Sequence, residues 1–276
     1  MTITGTDFDF ISRMVRDRSA IVLEHGKEYL IEARLLPLAR DRGTATVAGL
    51  VDELRRAPNG PLRDLIVEAM TTNETSFFRD AHPFGALSDH ILPDLVRARS
   101  SERSLNIWSA ACSSGQEPYS IAMLLQDIIG ADPTWRIRLL ATDISQAMLL
   151  RTRDGIYSQF EVNRGLPANL LVRHFRKVGL QWQIDLPLRR MVETRMLNLD
   201  HPFPAMPPMD IVFMRNVLIY FDTATKQQIL AKVRRIMRPD GYLFLGGAET
   251  TLNLDDSFDR VQIGHAPVYR LRGGKA

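Results

Sequence analysis

Hydrophobic positions in the first 70 residues recur at the spacing of an α-helix. They follow one another at intervals of mostly three, four or seven positions, with charged residues between them; the set is Phe10, Met14, Ile21, Leu23, Leu30, Ala33, Leu35 and Leu38. Two breaks, at 41–43 and 57–61, divide this region, and Pro61 suits the first turn of a further helix over 62–70. The pattern predicts a small helical domain.

After residue 103 the pattern changes to short apolar runs that alternate with longer helical stretches. Strands are predicted over 104–109, 136–142, 209–214 and 242–245, and helices over 119–129, 145–153 and 223–237. Such alternation indicates a mostly parallel sheet with helices on both faces. Two runs around Gly179 predict a small β-insertion, and two more in 258–271, separated by Gly264, predict an antiparallel hairpin beside the sheet.

Composition narrows the class of protein. With 276 residues, 45% of them apolar and 24% charged, the chain has the profile of a soluble globular protein, and a net charge of +3 is too small to indicate nucleic acid as a partner. The single cysteine, Cys112, excludes an internal disulfide, and the six histidines lack zinc-ligand spacing, so no metal is expected. We find neither a membrane-length apolar run nor a signal peptide, and we expect a cytoplasmic protein without membrane insertion.

Polar residues follow the ends of two predicted strands, where a doubly wound sheet binds its ligands. The loop 109–118 has small side chains around Gly115, but it lacks both the dinucleotide glycine fingerprint and the lysine of a triphosphate loop. A simple strand-to-helix turn explains it about as well. Asp143 is placed to accept hydrogen bonds from ribose hydroxyls. Alternatively, Asp143 or Ser145 caps the next helix, and both roles can hold together.

A third strand end carries Arg215 and Asn216 between the apolar runs 212–214 and 217–219. A surface arginine is the usual explanation, yet a polar pair between two such runs is hard to place on a solvated face. A nucleoside-binding loop, an acid for ribose and no phosphate-binding motif together favour adenosine without a phosphate chain. S-adenosylmethionine is the commonest such ligand.

Five segments, 71–80, 108–119, 141–145, 215–222 and 238–250, resemble the chemotaxis receptor methyltransferases of the CheR type. They stand in family order and span nearly the whole chain. The resemblance implies an α/β fold: a Rossmann-like S-adenosylmethionine-dependent methyltransferase sheet with an N-terminal all-helical domain and a small β-insertion. It implies a substrate-recognition domain over 1–76, a methyltransferase domain over 77–276 and a β-subdomain at about 166–190.

The same resemblance implies an activity and its partners. The enzyme would transfer a methyl group from S-adenosylmethionine to glutamate side chains on the cytoplasmic helices of chemoreceptors. The products would be glutamate methyl esters and S-adenosylhomocysteine, and the process served would be chemotaxis adaptation or related chemosensory signalling. The β-insertion would be a docking module, and a receptor C-terminal peptide is one candidate for what it binds.

Family roles pass to matching positions in this sequence. The residues expected at the cofactor are Asn73, Thr75, Arg79, Glu117 (for the ammonium group), Asp143 (for the ribose), Asn198 and Leu199 (for the adenine, after a strand over 191–197), Arg215 and Asn216 (at the transfer site). Arg79 and Tyr220 are the expected catalytic residues. Phe77 and Phe78 would fix the segment 71–80 onto the catalytic domain. A helix cap at residues 72–73 would explain only part of that segment.

Other interpretations stay open at this point. Arg34, Arg40 and Arg42 form either a basic track for an acidic receptor helix or a solvated helix face, and the two are equally supported. The methyl acceptor could instead be RNA or a small molecule. The chain could also be a non-catalytic nucleoside-binding sensor, while a nicotinamide oxidoreductase is the least favoured alternative.

Overall fold

The computed structural model describes residues 3–130 and 132–274, which form two compact units. The helical unit comprises the chain up to Thr72 together with Tyr220–Lys226, and the sheet unit comprises Asn73–Ile219 and the chain from Gln227 onward. Among the residues described, no helix has the length and apolar character needed to cross a membrane.

Four helices build the helical unit: α1 (Gly5–Ser19), α2 (Glu28–Asp41), α3 (Val47–Arg56) and α4 (Pro61–Met70). Pro61 occupies the first turn of α4, as predicted. Of the eight apolar positions predicted from periodicity, only Leu35 is fully buried; the core instead contains Phe8, Ile11 and Val15. Two adjacent stripes of α1 have helical spacing, so periodicity identifies the helix without deciding which stripe faces the core.

The sheet unit begins with α5 (His82–Ala86), a π-helical turn (Leu87–Ile91) and α6 (Leu92–Ala98). The remaining elements are β1 (Ser104–Ala110), α7 (Gln116–Ile128), β2 (Arg136–Asp143), α8 (Gln146–Asp154), β3 (Ile156–Tyr157), α9 (Gln159–Asn163), α10 (Ala168–His174), β4 (Phe175–Val178), β5 (Gln181–Ile184), α11 (Leu186–Met191), β6 (Val192–Met196), β7 (Met209–Met214), α12 (Thr223–Ile236), β8 (Met237–Leu245), β9 (Phe258–Ile263) and β10 (Ala266–Leu271).

The main sheet has seven strands in the order β6-β2-β1-β7-β8-β10-β9. The first five are parallel, while β10 pairs antiparallel with both β8 and β9. The predicted parallel sheet and antiparallel tail are therefore confirmed. Successive strands extend from β1 through β2 to β6, and then from β7 to β8 in the opposite direction, so the order reverses between β1 and β7. A doubly wound sheet opens a crevice for ligands at such a reversal.

Two features differ from the sequence prediction. Strand β8 begins at Met237, five positions before the predicted start at residue 242, because Met237 pairs with Met209 of β7. The register shifts between this pair and the next one, Ile211 with Tyr242, so residues 238–241 form an irregularity in the strand. The β-insertion is confirmed as a three-stranded antiparallel sheet in the order β3-β5-β4, but its strand β3 lies at Ile156–Tyr157, outside the predicted range of about 166–190.

An aromatic cluster holds the segment 73–80 on the sheet unit. The fully buried ring of Phe77 packs edge-on against Tyr157 and Phe175, with centroid distances of 5.0 and 5.7 Å. Phe78 is half-buried and packs against Phe84 at 5.3 Å. The predicted role of the two rings is confirmed, since together they remove a large apolar area from water.

Candidate active site

The loop between β1 and α7 turns tightly because three of its residues have left-handed backbone angles: Ala111 (φ 55°), Ser113 (φ 50°) and Gly115 (φ 94°). At Gly115 a Cβ atom would lie 2.8 Å from the Thr152 methyl group, so glycine is the residue that fits. Thr152 also donates a hydrogen bond from its hydroxyl to the Ser113 carbonyl, at 3.1 Å. The Cys112 thiol is buried and its pKa is raised well above the usual value by that burial, so the residue acts here through its small size.

Asp143, at the end of β2, fixes this loop from the side. Its Oδ2 atom accepts a hydrogen bond from the Ser113 amide at 2.8 Å, and its Oδ1 atom accepts one from the Ser145 amide at 2.9 Å. Ser145 in turn caps α8 by accepting from the Met148 amide, which confirms the cap interpretation for Ser145. The Ser113 hydroxyl donates to the Asn73 carbonyl at 2.8 Å, so Asn73 and Asp143 both contact the loop.

A buried ion-pair network occupies the crevice between β1 and β7. Glu117 accepts from the Ser109 hydroxyl at 2.8 Å with Oε1 and pairs with Arg215 Nη1 at 3.2 Å through Oε2. The other end of the Arg215 guanidinium, Nη2, donates to Asp80 Oδ2 at 2.6 Å and to the Arg79 carbonyl at 2.9 Å. The Arg215 side chain is 2% exposed, so the interpretation as an ordinary surface arginine is wrong.

Three carboxyl groups and two arginines come together at this site. The carboxyl groups are those of Asp80, Glu117 and Asp143, and the arginines are Arg79 and Arg215. Burial raises the pKa of Glu117, although the neighbouring Arg215 opposes that rise. Within residues 3–130 and 132–274, no group of three or more potential ligand side chains is arranged to hold a metal ion.

The segment that carries Arg79 folds back on itself. Arg79 is half-buried and donates from Nη1 to the Glu74 carbonyl at 2.9 Å. Thr75, another predicted cofactor residue, stands between Glu74 and Arg79 in the chain and is half-buried. The backbone from 71 to 81 is not helical and the next helix is α5, so a helix cap at 72–73 is wrong.

Asn198 and Leu199, predicted at the adenine, lie directly after β6 in a short turn. The Asn198 carbonyl accepts from the His201 amide at 3.1 Å, and Leu199 is buried. Lys232 on α12 donates from Nζ to three consecutive carbonyls, those of residues 199–201, at 2.5, 2.8 and 3.0 Å. Lys232 carries no signal in the sequence, because nothing near it in the chain indicates a turn 33 positions away.

Asn216 and Tyr220 were predicted at the transfer site and as a catalytic residue, respectively. Asn216 directly follows Arg215, is half-buried and has a left-handed backbone with φ 58°. Tyr220 ends a short 3-10 helix over Leu218–Tyr220, and its carbonyl accepts from the Val22 amide at 2.9 Å. Tyr220 belongs to the helical unit, whereas every other predicted site residue belongs to the sheet unit.

The residues of the sheet unit fit S-adenosylmethionine better than a phosphorylated nucleotide. Three amides of the β1–α7 loop are already used: Cys112 N donates to Thr142 O, Ser113 N to Asp143, and Gly115 N to Cys112 O. A phosphate chain would compete for these donors, and the Asp143 carboxylate beside the loop would repel it. A nucleoside with a sulfonium and an ammonium group suits both features.

Both parts of the chain match known protein families. Residues 73–266 match the family model described as CheR methyltransferase, SAM binding domain, and residues 6–71 match the model described as CheR methyltransferase, all-alpha domain.

The chain is also similar along its length to curated relatives. Chemotaxis protein methyltransferase 1 of Pseudomonas aeruginosa is 38% identical over 277 residues, covering 99% of this chain and 100% of the relative. Chemotaxis protein methyltransferase Cher2 of Pseudomonas putida is 36% identical, covering 99% and 100%. The chemotaxis protein methyltransferase of Escherichia coli is 34% identical, covering 94% and 89%. The chain therefore belongs to the CheR methyltransferase family, and it is an S-adenosylmethionine-dependent methyltransferase.

Proposed function

We propose that this enzyme acts in the cytoplasm and methylates glutamate side chains on the cytoplasmic helices of chemoreceptors. The products are glutamate methyl esters and S-adenosylhomocysteine. The observation that best supports the proposal is the buried Glu117–Arg215 network, in a chain whose relatives are named chemotaxis methyltransferases.

The chain's own residues would divide the binding of the cofactor. When bound, S-adenosylmethionine supplies a methyl group on positive sulfur, open to in-line attack by an oxygen atom. Glu117 would hold the ammonium group and Asp143 the ribose, while Asn198 and Leu199 would contact the adenine. Arg215 keeps the carboxylate of Glu117 fixed in the buried crevice, because its other hydrogen bonds fix the guanidinium in turn.

The acceptor needs little chemical activation. A glutamate with a pKa of about 4.3 is already ionised at neutral pH, so no general base is required. The protein lowers the barrier by aligning the acceptor oxygen with the methyl group and by removing water from the carboxylate. Because the anion and the sulfonium neutralise each other in the transition state, an ion pair to the acceptor opposes the reaction if it stabilises the ground state more than the transition state. A useful contact must therefore orient the acceptor without binding its charge tightly.

Arg79 and Tyr220 fit this requirement in different ways. Arg79 has five N–H donors, and its contact with the Glu74 carbonyl uses one of them, so it can orient an acceptor carboxylate. Tyr220 offers a neutral hydroxyl on a backbone that the Val22 amide holds in place. We assign Arg79 to orientation and Tyr220 to a weaker, neutral contact.

The test is transfer of labelled methyl groups from the cofactor to receptor cytoplasmic fragments, followed by mild base. Label that is released as methanol identifies an ester, and base-stable label would point to another acceptor. Cofactor binding without any label would indicate a sensor rather than an enzyme. Turnover of Arg79→Ala and Tyr220→Phe should fall at saturating cofactor and receptor, whereas the exposed control Arg97→Ala should not. An unchanged rate in Arg79→Ala would refute its orienting role.

We further propose that the β-insertion binds a receptor C-terminal peptide. Strand β4 is an edge of the three-stranded sheet, and an extended peptide can pair with such an edge. Val178 at the end of β4 and Leu180 just after it are exposed and would give the peptide apolar contacts.

Calorimetric titration with the receptor tail peptide tests this second proposal. Val178→Asp should weaken binding of the peptide while leaving cofactor binding unchanged. The matched control is Val172→Asp on α10, which is also exposed but is not part of the edge strand. Equal affinity of both variants for the peptide would contradict docking at β4.

A further inference from the structure

One carboxylate outside the predicted site holds the loop that carries Arg215 and Asn216. Glu249 lies four residues after the end of β8 and is 9% exposed. Its Oε2 atom accepts hydrogen bonds from the amides of Gly246 and Asn216, at 2.6 and 2.7 Å. Its Oε1 atom accepts from the amides of Val217 and Ile219, at 2.9 and 3.3 Å.

These amides require an acceptor from outside their own segment. The segment 216–219 leaves β7 through the left-handed Asn216 and then begins a short 3-10 helix, and the first N–H groups of a helix have no partner within it. Val217 is buried, so water does not replace the missing partner at its amide. A charged acceptor makes stronger hydrogen bonds to amides than a neutral one does.

The neighbouring glycine makes room for the arrangement. A Cβ atom on Gly246 would lie 2.7 Å from Asn216 Nδ2, 2.7 Å from Glu249 Oε2 and 2.9 Å from Asn216 N. The end of β8 therefore approaches the Asn216 turn as closely as backbone atoms allow. Glu249 itself is fixed by a hydrogen bond from its amide to the Gly246 carbonyl, at 2.9 Å.

We propose that Glu249 is a positioning residue of the methyltransferase site: it holds the Arg215–Asn216 turn in the conformation that presents both side chains to S-adenosylmethionine. This inference rests on the proposed placement of Arg215 and Asn216 at the cofactor, and it does not depend on which acceptor is methylated. Loss of the four hydrogen bonds would release Asn216 from its left-handed conformation, and the cofactor would then have to restore the turn when it binds.

Two variants of Glu249 test the proposal. Glu249→Gln keeps the shape but turns an NH2 group towards amides that also donate, and Glu249→Asp keeps the charge but is too short to reach all four amides. We expect the Kd for S-adenosylmethionine to rise at least tenfold in Glu249→Gln and by a smaller factor in Glu249→Asp. The control is Asp256→Asn, an exposed carboxylate in the same segment, which should leave the Kd unchanged.

A double-mutant cycle separates positioning from a general loss of stability. If Glu249 acts through Asn216, Asn216→Ala and Glu249→Gln together should raise the Kd by less than the product of the two single effects. Titrations at a temperature where circular dichroism shows each variant folded remove the contribution of unfolding, and Glu249→Asp serves if Glu249→Gln does not fold. An unchanged Kd in the folded variants, or independent effects in the cycle, would overturn the proposal. Calorimetry measures cofactor binding without any acceptor. If the wild type failed to methylate the receptor, the proposed function would be wrong but the role of Glu249 in cofactor binding could still be tested.

Discussion

Replacing Gly115 with alanine tests whether the shape of the β1–α7 loop determines cofactor binding. Gly115 has φ 94°, where an L-residue costs about 1–2 kcal/mol. The new Cβ would also lie 2.8 Å from the Thr152 methyl group and 2.9 Å from its hydroxyl oxygen. If Thr152 moves, its hydrogen bond to the Ser113 carbonyl is lost, at a cost of about 0.5–1.5 kcal/mol. We therefore expect Gly115→Ala to lower the free energy of unfolding by about 1.5–3.5 kcal/mol.

Gly130 supplies the matched control, because the two glycines stand at opposite ends of α7. Gly130 has φ 71°, and a Cβ there would meet nothing within 4 Å. Gly130→Ala should thus show the backbone cost alone, about 1–2 kcal/mol, without an effect on the cofactor. Urea denaturation measures the stability of each variant, and calorimetric titration with S-adenosylmethionine measures the Kd.

Two results would refute this reasoning. Equal losses of stability in Gly115→Ala and Gly130→Ala would show that the contact with Thr152 adds nothing. A wild-type Kd in Gly115→Ala would show that the cofactor does not depend on the loop, since Ser113 and its carbonyl must shift when Thr152 does.

Three further substitutions probe buried charges of the sheet unit. Because burial raises the pKa of Glu117, S-adenosylmethionine affinity should fall as pH drops through that raised value, and Glu117→Gln should remove this dependence in titrations at several pH values. Asp210, 0% exposed and paired with Arg99 at 2.8 Å, lies at the amino-terminal end of β7, whereas the predicted cofactor residues follow the carboxyl ends of the strands; Asp210→Asn should cost about 3–5 kcal/mol in urea denaturation and leave the cofactor Kd unchanged. Lys232→Met should raise that Kd, whereas Lys226→Met on the same helix should not, and equal Kd values would contradict a role for the 199–201 turn.

The sheet could be predicted well because the information that specifies its strands is local. Buried parallel strands are short apolar runs, and β1 and β7 lie within one residue of their predicted limits. Strand ends are equally local, so the amino-acid pattern alone placed Asp143 and Arg215 at the carboxyl edge. The helical unit shows the limit of this kind of information. Its spacing identifies helices, but Phe8 and Phe10 belong to neighbouring stripes, and only packing against α2 to α4 decides which one is buried.

The residues that the sequence analysis missed act over long separations in the chain. Glu249 holds amides about 30 positions earlier, and Lys232 holds carbonyls about as far away. Neither separation corresponds to a helical or strand period, so no pattern in the sequence connects the partners. A local signal did exist for Glu249, because an acid three positions after Gly246, at the end of a buried strand, is well placed to receive backbone amides.

These long-range contacts share a principle that explains how the crevice keeps its shape. Asp143, Glu249 and Lys232 each satisfy backbone groups of a loop that follows a different strand: Asp143 after β1, Glu249 after β7 and Lys232 after β6. Each therefore holds a loop that we propose faces the cofactor, and on that placement the cofactor need not order the loop when it binds. Since the ordering is done during folding, a change in one of these three residues should weaken binding as much as the loss of a direct contact does. We therefore expect cofactor affinity to depend on Glu249 and Lys232 as well as on the residues that touch the cofactor.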